Sequence, residues 1–188
     1  MRKLVLLMHT SLDGFVAGPN GEMDWIYVGD DMFDIADDRT DEADTALYGR
    51  VTYDMMEGYW PNAGNRPGAD KHAKHHSEWY NRVEKIVVSK TLADDPHRKR
   101  KVINENFIAK ILSLKEKDGN NILIIGSPSI VRSLIKENII DDFWLFLNPV
   151  ILGFGIPLFD PKGKKISLEL VNTKKFDSGV ICLHYKSN

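Results

Sequence analysis

The stretch Asn121–Phe159, NILIIGSPSIVRSLIKENIIDDFWLFLNPVILGFGIPLF, limits what this chain can fold into more than any other. The apolar run Ile122 to Ile125 stops at Gly126. Ser127, Pro128 and Ser129 follow, and Ile130, Val131, Leu134 and Ile135 then recur at helical spacing. A second apolar run, Phe143 to Leu152, comes after Asp141 and Asp142. The pattern predicts strand, tight turn, helix and strand with little chain between them. A strand that is apolar at every position is covered on both faces. Gly126, where it ends, permits a sharp turn and the close approach of a ligand. Ser127 or Ser129 is expected to cap the helix, and Pro128 suits its first turn because it has no N–H to leave unpaired. Open amides at the helix start form an anion site. The turn is either a nucleotide-phosphate cradle or an ordinary βαβ turn that binds nothing.

The rest of the chain decides how such a unit is used. Its 188 residues suit one domain, residues 1–188, able to bury about 70% of its extended-chain surface. A formal net charge of −2 gives no electrostatic case for binding nucleic acid or a membrane surface. The opening KLVLLMHTSLDG is too short to span a membrane, and no small-residue cleavage site follows, so a cytoplasmic location is expected. A single cysteine, Cys182, excludes an intrachain disulfide framework and a CxxC metal site. No GxSxG elbow or Walker GxxxxGK[ST] is present, which argues against a hydrolytic triad and against nucleotide hydrolysis.

Lys3 to Thr10 reads as the first strand, followed by a Gly-, Pro- and Asn-rich loop over residues 11–24 that is either a lid or a surface excursion. Asp30 to Asp44 reads as an acidic helix with a solvated face. A short strand then ends at Gly49, and a helix beginning over Val51–Met56 is expected to close at Gly58 and Pro61. This is a second glycine at a strand–helix junction, here followed by Arg50 and Thr52. Arg50 either faces an anion or pairs with the acidic helix. Pro67 to Lys85 is polar helix or loop. His72 and His76 within it have i,i+4 spacing but no accompanying glutamate or third ligand, so no metal is expected. The strand Lys85–Ser89 ends in Ser89-Lys90, a hydroxyl and a cation at the edge where open α/β sheets bind ligands. HRKRK, residues 97–101, reads as a solvated loop, and Asn106–Lys117 as an amphipathic helix. Ser167–Phe176 and Val180–Lys186 form a terminal hairpin about Asp177-Ser178-Gly179. The fold class is therefore α/β, with a mixed, mostly parallel central sheet and a C-terminal antiparallel hairpin.

The series SLDGFVAGPNGEMDW, LYGRVTYDMMEGYW, KIVVSKTL and ILIIGSPSIVRSLIKENIIDDFWLFLNPVILGFGIPLF, in this order, resembles the dihydrofolate-reductase-like superfamily. More narrowly, it is similar to the C-terminal reductase domain of bacterial riboflavin biosynthesis and its stand-alone relatives. The resemblance implies a three-layer α/β/α fold with NADPH lying across the strand ends. Carried over to this chain, it assigns Gly49, Arg50 and Thr52 to the phosphate bridge, and Ser89 and Lys90 to the adenosine 2′-phosphate. Gly126, Ser127, Ser129 and Ile130 fall beneath the pyrophosphate and nicotinamide, and Val16 and Ala17 beside the nicotinamide. Where the family commonly has Gly-Gly, this chain has Gly126-Ser127, a side chain expected to narrow the backbone's approach to the cofactor.

The activity implied is hydride transfer from NADPH to a small heterocycle (pterin- or aminouracil-like), carbonyl or imine. Such chemistry needs a dry cleft, fixed geometry and a proton source. Trp25, Tyr53 and Trp60 are candidates for a flat apolar wall, or else plain core aromatics. Asp13, the carboxylate of SLDG, either orients substrate and relays the proton or caps turn amides; His9 is a lesser candidate. Two other readings compete: a nucleotide-binding module without turnover, and a structural homodimer joined through Phe143 to Phe159.

Overall fold

The computed structural model describes all 188 residues, Met1–Asn188. In chain order the elements are β1 (Leu4–Thr10), β2 (Phe15–Ala17), α1 (Asp30–Asp41), β3 (Ala43–Gly49), α2 (Arg50–Ala63), α3 (Lys71–Arg82), β4 (Glu84–Val88), β5 (Arg100–Ile103), α4 (Phe107–Lys115), β6 (Asn121–Ile125), α5 (Pro128–Lys136), β7 (Asp142–Leu147), β8 (Ile156–Pro157), β9 (Leu168–Lys175) and β10 (Ile181–Ser187). One eight-stranded sheet has the order β5-β4-β3-β6-β1-β7-β10-β9. The strands from β5 to β7 pair in parallel, and β10 runs antiparallel to both β7 and β9. No helix is long and apolar enough to cross a membrane.

Side chains alternate across each strand, so the sheet feeds two separate cores. Leu4, Leu6, Leu47, Ile122 and Ile124 face one side and pack with Ile111 of α4 and with Ile130, Val131 and Leu134 of α5. Val5, Leu7, Ala46, Tyr48 and Leu123 face the other and pack with Met32 of α1, Tyr53 of α2 and Trp79 and Tyr80 of α3. This is the expected three-layer α/β/α arrangement. At the amino ends of the strands, buried Arg2 ties three segments together by donating to the Asn120 carbonyl at 2.7 Å, to Thr45 Oγ1 at 2.7 Å and to Asp44.

Several boundaries differ from expectation for identifiable reasons. The acidic helix stops at Asp41 because Ala43 and Thr45 are already buried in β3. Helix α2 continues through Gly58 and Pro61 to Ala63. Ser77 Oγ donates to the Trp60 carbonyl at 2.8 Å and Asn81 Nδ2 to that of Pro61 at 3.0 Å, so α3 satisfies the last turn that proline weakens. The basic run 97–101 is not all loop, since Arg100 and Lys101 open the edge strand β5 on β4. Charged side chains are the usual protection of such an edge. The run Phe143–Leu152 leaves the sheet at Leu147, and beyond it Ile151 and Phe154 are 69% and 68% exposed.

The loop over residues 11–24 is anchored partway along. Its β2 segment pairs antiparallel with β8 as a separate two-stranded sheet, and Val16 and Ala17 are buried. Gly155 is required there: a Cβ would lie 2.3 Å from the Ala17 carbonyl oxygen.

Candidate active site

Adjacent strands β3 and β6 send their helices to opposite faces of the sheet, α2 to one core and α5 to the other. That divergence opens a crevice at the carboxyl ends of the strands, where open α/β folds bind ligands. The two glycine junctions meet on its floor. The Gly49 N–H donates to Ser127 Oγ at 2.6 Å, and the Ser127 N–H donates to Thr52 Oγ1 at 3.1 Å. Gly126 has φ +87°, and a Cβ on it would lie 2.8 Å from Thr52 Cγ2. A Cβ on Gly49 would meet Ser127 Oγ at 3.0 Å and Ile130 Cγ1 at 3.3 Å.

These contacts settle the local role of Ser127. Neither Ser127 nor Ser129 caps α5 with its side chain: Ser127 occupies the cap position with φ +61°, and Ser129 accepts from Ser133 Oγ through its carbonyl. The Ser127 hydroxyl is instead turned inward onto Gly49. The side chain expected to narrow the cofactor's approach is buried and joins the two junctions. The first ladder bond of α5 runs from Val131 N–H to the Ser127 carbonyl, so the Ser129 and Ile130 amides precede the ladder. Ile130 is buried beneath Gly49, and Ser129 is exposed. Arg50, also exposed, pairs with Asp54 of its own helix at 3.1 Å and not with α1.

Beside the junctions lies a cleft of about 370 Å³. Its walls come from the ends of β1 and β6, from Val16 and Ala17 of β2, and from Met32 and Phe33 of α1. Val51, Thr52, Met55, Met56 and Trp60 of α2 complete it, with Met23, Ile26 and Val28 at its rim. Trp60 is the one expected wall aromatic present; its indole N–H donates to Met56 Sδ at 3.0 Å and its ring packs 4.0 Å from His76. Trp25 and Tyr53 do not line the cleft. The Trp25 indole donates to the Glu22 carbonyl at 3.2 Å, and Tyr53 is buried in the core, its hydroxyl accepting from Arg100 Nη1 at 3.2 Å. The methionines, Phe33 and His76 were not expected from sequence to line a cleft. Only in the structure do partly exposed Met23 and Met55 give the signal, since exposed apolar side chains around a concavity mark ligand surface.

Asp13 also lies outside the cleft. Its carboxylate accepts from Ser11 Oγ at 2.6 Å and from the Leu152 and Gly153 amides at 3.2 and 2.8 Å, and these bonds hold its pKa below the usual carboxylate range. The geometry makes it a tie between the loop after β1 and the loop after β7. Asp13→Asn is therefore expected to lower Tm by a few degrees with nucleotide affinity retained. Unchanged Tm with lost turnover would restore it to the chemistry.

Ser89 is buried, with its hydroxyl accepting from the Thr91 and Leu92 amides at 3.2 and 3.1 Å; Lys90 beside it is exposed. His72 and His75 contact Asp37 at 2.6 and 3.0 Å and bind α3 to α1, whereas His76 turns to Trp60 and Trp79. The rings of His72 and His76 thus share a helix but turn to different partners.

The sheet, its order and the strand-end crevice define an α/β protein of dihydrofolate-reductase-like architecture. The RibD C-terminal domain family matches residues 2–182, and the chain belongs to that family. It is 34% identical over 189 residues to the uncharacterized protein YyaP of Bacillus subtilis (strain 168), covering 100% of this chain and 96% of the relative. A putative riboflavin biosynthesis protein from Shewanella sp. PV-4 superposes with TM-score 0.71 at 22% identity, over 100% of this chain and 99% of that one. The Thermotoga maritima diaminohydroxyphosphoribosylaminopyrimidine deaminase/5-amino-6-(5-phosphoribosylamino)uracil reductase superposes with TM-score 0.67 at 17% identity, over 100% of this chain and 57% of that longer one. At these identities the two structures establish the fold.

Proposed function

We propose that this protein is an oxidoreductase that binds NADPH along the joined strand ends and reduces a small organic molecule in the adjoining cleft. The observation that carries the reading is the pair of hydrogen bonds, Gly49 to Ser127 and Ser127 to Thr52, which brings two helix amino-termini together beside an apolar compartment.

The residues present fit such a cofactor. The Arg50, Val51 and Thr52 amides precede the α2 ladder as those of Ser129 and Ile130 precede that of α5, so two anionic groups find donors without long side chains. Arg50 is held only by an exposed i,i+4 pair and is free to turn toward a phosphate. Lys90 supplies the cation for a 2′-phosphate, with Ser89 shaping its turn. Val16, Ala17 and Ile125 offer apolar surface to a nicotinamide. When bound, reduced nicotinamide supplies a hydride. The chain supplies position and exclusion of water by the methionine and aromatic walls.

Titration with NADPH and NADH, followed by nucleotide fluorescence and thermal shift, tests the proposal. NADPH is expected to bind at least tenfold more tightly than NADH. Absence of a shift with either would overturn it. The reading of a binding module without turnover predicts binding with no oxidation across a substrate panel.

A further inference from the structure

None of the side chains lining the cleft is Asp, Glu, Lys or Arg. The polar groups there are Thr52 and Ser127, both already engaged at the junction, and the histidines His9 and His76. Burial holds the two histidines neutral, with pKa values lowered to about 4 and about 3. Away from the two helix amino-termini, a phosphate or carboxylate in this compartment would be desolvated with no countercharge, which disfavours its binding.

His9 has a defined tautomer. Asn148 Nδ2 faces the Thr10 and Phe146 carbonyls at 3.2 and 3.1 Å, and its Oδ1 accepts from the Tyr27 amide at 3.1 Å, which fixes the amide's orientation. That amino group, whose hydrogens serve the two carbonyls, also lies 3.4 Å from His9 Nδ1. An amide nitrogen cannot accept a hydrogen bond, so a proton on Nδ1 is disfavoured and the ring proton is assigned to Nε2. The ring stacks on Phe146 at 4.7 Å, and the one side-chain hydrogen bond of His9 is at Nδ1, leaving Nε2 without a bond inside the protein. The cleft therefore offers two neutral imidazoles against Met and aromatic walls: His9, whose Nε2–H is free, and His76, whose Nε2 is buried with no partner.

We infer that the substrate compartment takes an uncharged, planar, largely apolar carbonyl compound, of quinone or conjugated-ketone type, whose oxygen accepts from His9 Nε2. The inference deepens the proposed reductase reading and rests on it for turnover, though not for binding. Among the small heterocycles and carbonyl compounds expected, it favours the uncharged ones, because no charged side chain lines the cleft.

The test is calorimetric titration of the nucleotide-free protein. The probes are 2,3-dimethyl-1,4-naphthoquinone, which cannot alkylate a thiol, 2,3-dimethylnaphthalene, and uridine 5′-monophosphate. Saturable binding of the quinone, at least tenfold tighter than the hydrocarbon, is expected, with no nucleotide binding that competes with it. His9→Phe keeps the stacked ring and should weaken the quinone about tenfold while leaving the hydrocarbon unaffected. His9→Gln, which keeps a donor, should recover part of the loss. Binding of uridine 5′-monophosphate in preference to the quinone, or equal binding of quinone and hydrocarbon, overturns the inference. NADPH titration is read separately. Quinone binding without NADPH binding sinks the reductase proposal alone, and the converse sinks the ligand class alone.

Discussion

Gly126→Ala should destabilise the protein by about 3 kcal/mol and abolish measurable NADPH binding. The left-handed backbone at Gly126 costs an L-residue roughly 1–2 kcal/mol before any contact is considered. The added Cβ then meets Thr52 Cγ2 at 2.8 Å. Thr52 cannot retreat freely, because its Oγ1 accepts from the Ser127 amide. Displacing it removes a buried hydrogen bond worth about 1 kcal/mol and separates the two junctions. For a domain of this size the sum corresponds to a Tm lowered by roughly 6–12 °C. The paired variant Gly126→Ala with Thr52→Ser deletes the colliding methyl and keeps the hydroxyl, so about 1 kcal/mol should return. A Gly126→Ala protein as stable as the parent, or no recovery with Thr52→Ser, would contradict the packing described for the junctions.

Acid should weaken the fold well above the range in which carboxylates titrate. Burial lowers the pKa of His9 to about 4, and burial with the nearby charge of His75 lowers that of His76 to about 3. Both groups titrate near 6.5 when the chain is unfolded. Between pH 6.5 and 4 the unfolded chain gains protons that the folded one refuses, so stability falls as the pH falls. Each fully differential histidine contributes a slope of roughly 1.4 kcal/mol per pH unit, about 2.7 for the pair near pH 5. His9 is faced by Phe146 and Asn148, and His76 by Trp60, Trp79 and His75, so no carboxylate contacts either ring to offset the effect. Asp13, Glu22 and Asp142 have lowered pKa values, and their contributions are lost as the pH falls through the ordinary carboxylate range and below it, under the histidine window. Thermal melts at pH 7, 6 and 5 should show Tm falling by roughly 7–15 °C overall. His9→Phe should flatten the profile by about half. A level profile from pH 7 to 5 would refute the account.

Both predictions concern groups of unequal visibility in the sequence. Gly126 could be found by reading, because a glycine ending an all-apolar strand is locally encoded. His76 could not. Its i,i+4 spacing from His72 said nothing of where either ring would turn, and only the packing of α3 on α2 and α1 sends one ring to Trp60 and the other to Asp37. Asp13 shows the same limit. Asp-Gly chemistry predicts a turn, but the Leu152 and Gly153 amides that hold the carboxylate lie about 140 residues away. Tyr53 and Trp60 belong to one helix, and helix periodicity did not say which would be core and which would be wall.

By itself, the sequence determined the alternation of strands and helices, the two glycine junctions and the terminal hairpin. Backbone propensity, hydrophobic period and turn chemistry act over a few residues and can be read there. The tertiary structure decided the rest: that β6 inserts between β1 and β3, that Ser127 bridges the junctions, and that β2 finds β8. It also decided that the cleft beside them is lined without a charge. Each of those facts depends on residues distant in the chain meeting in space, and local pattern carries no record of such meetings.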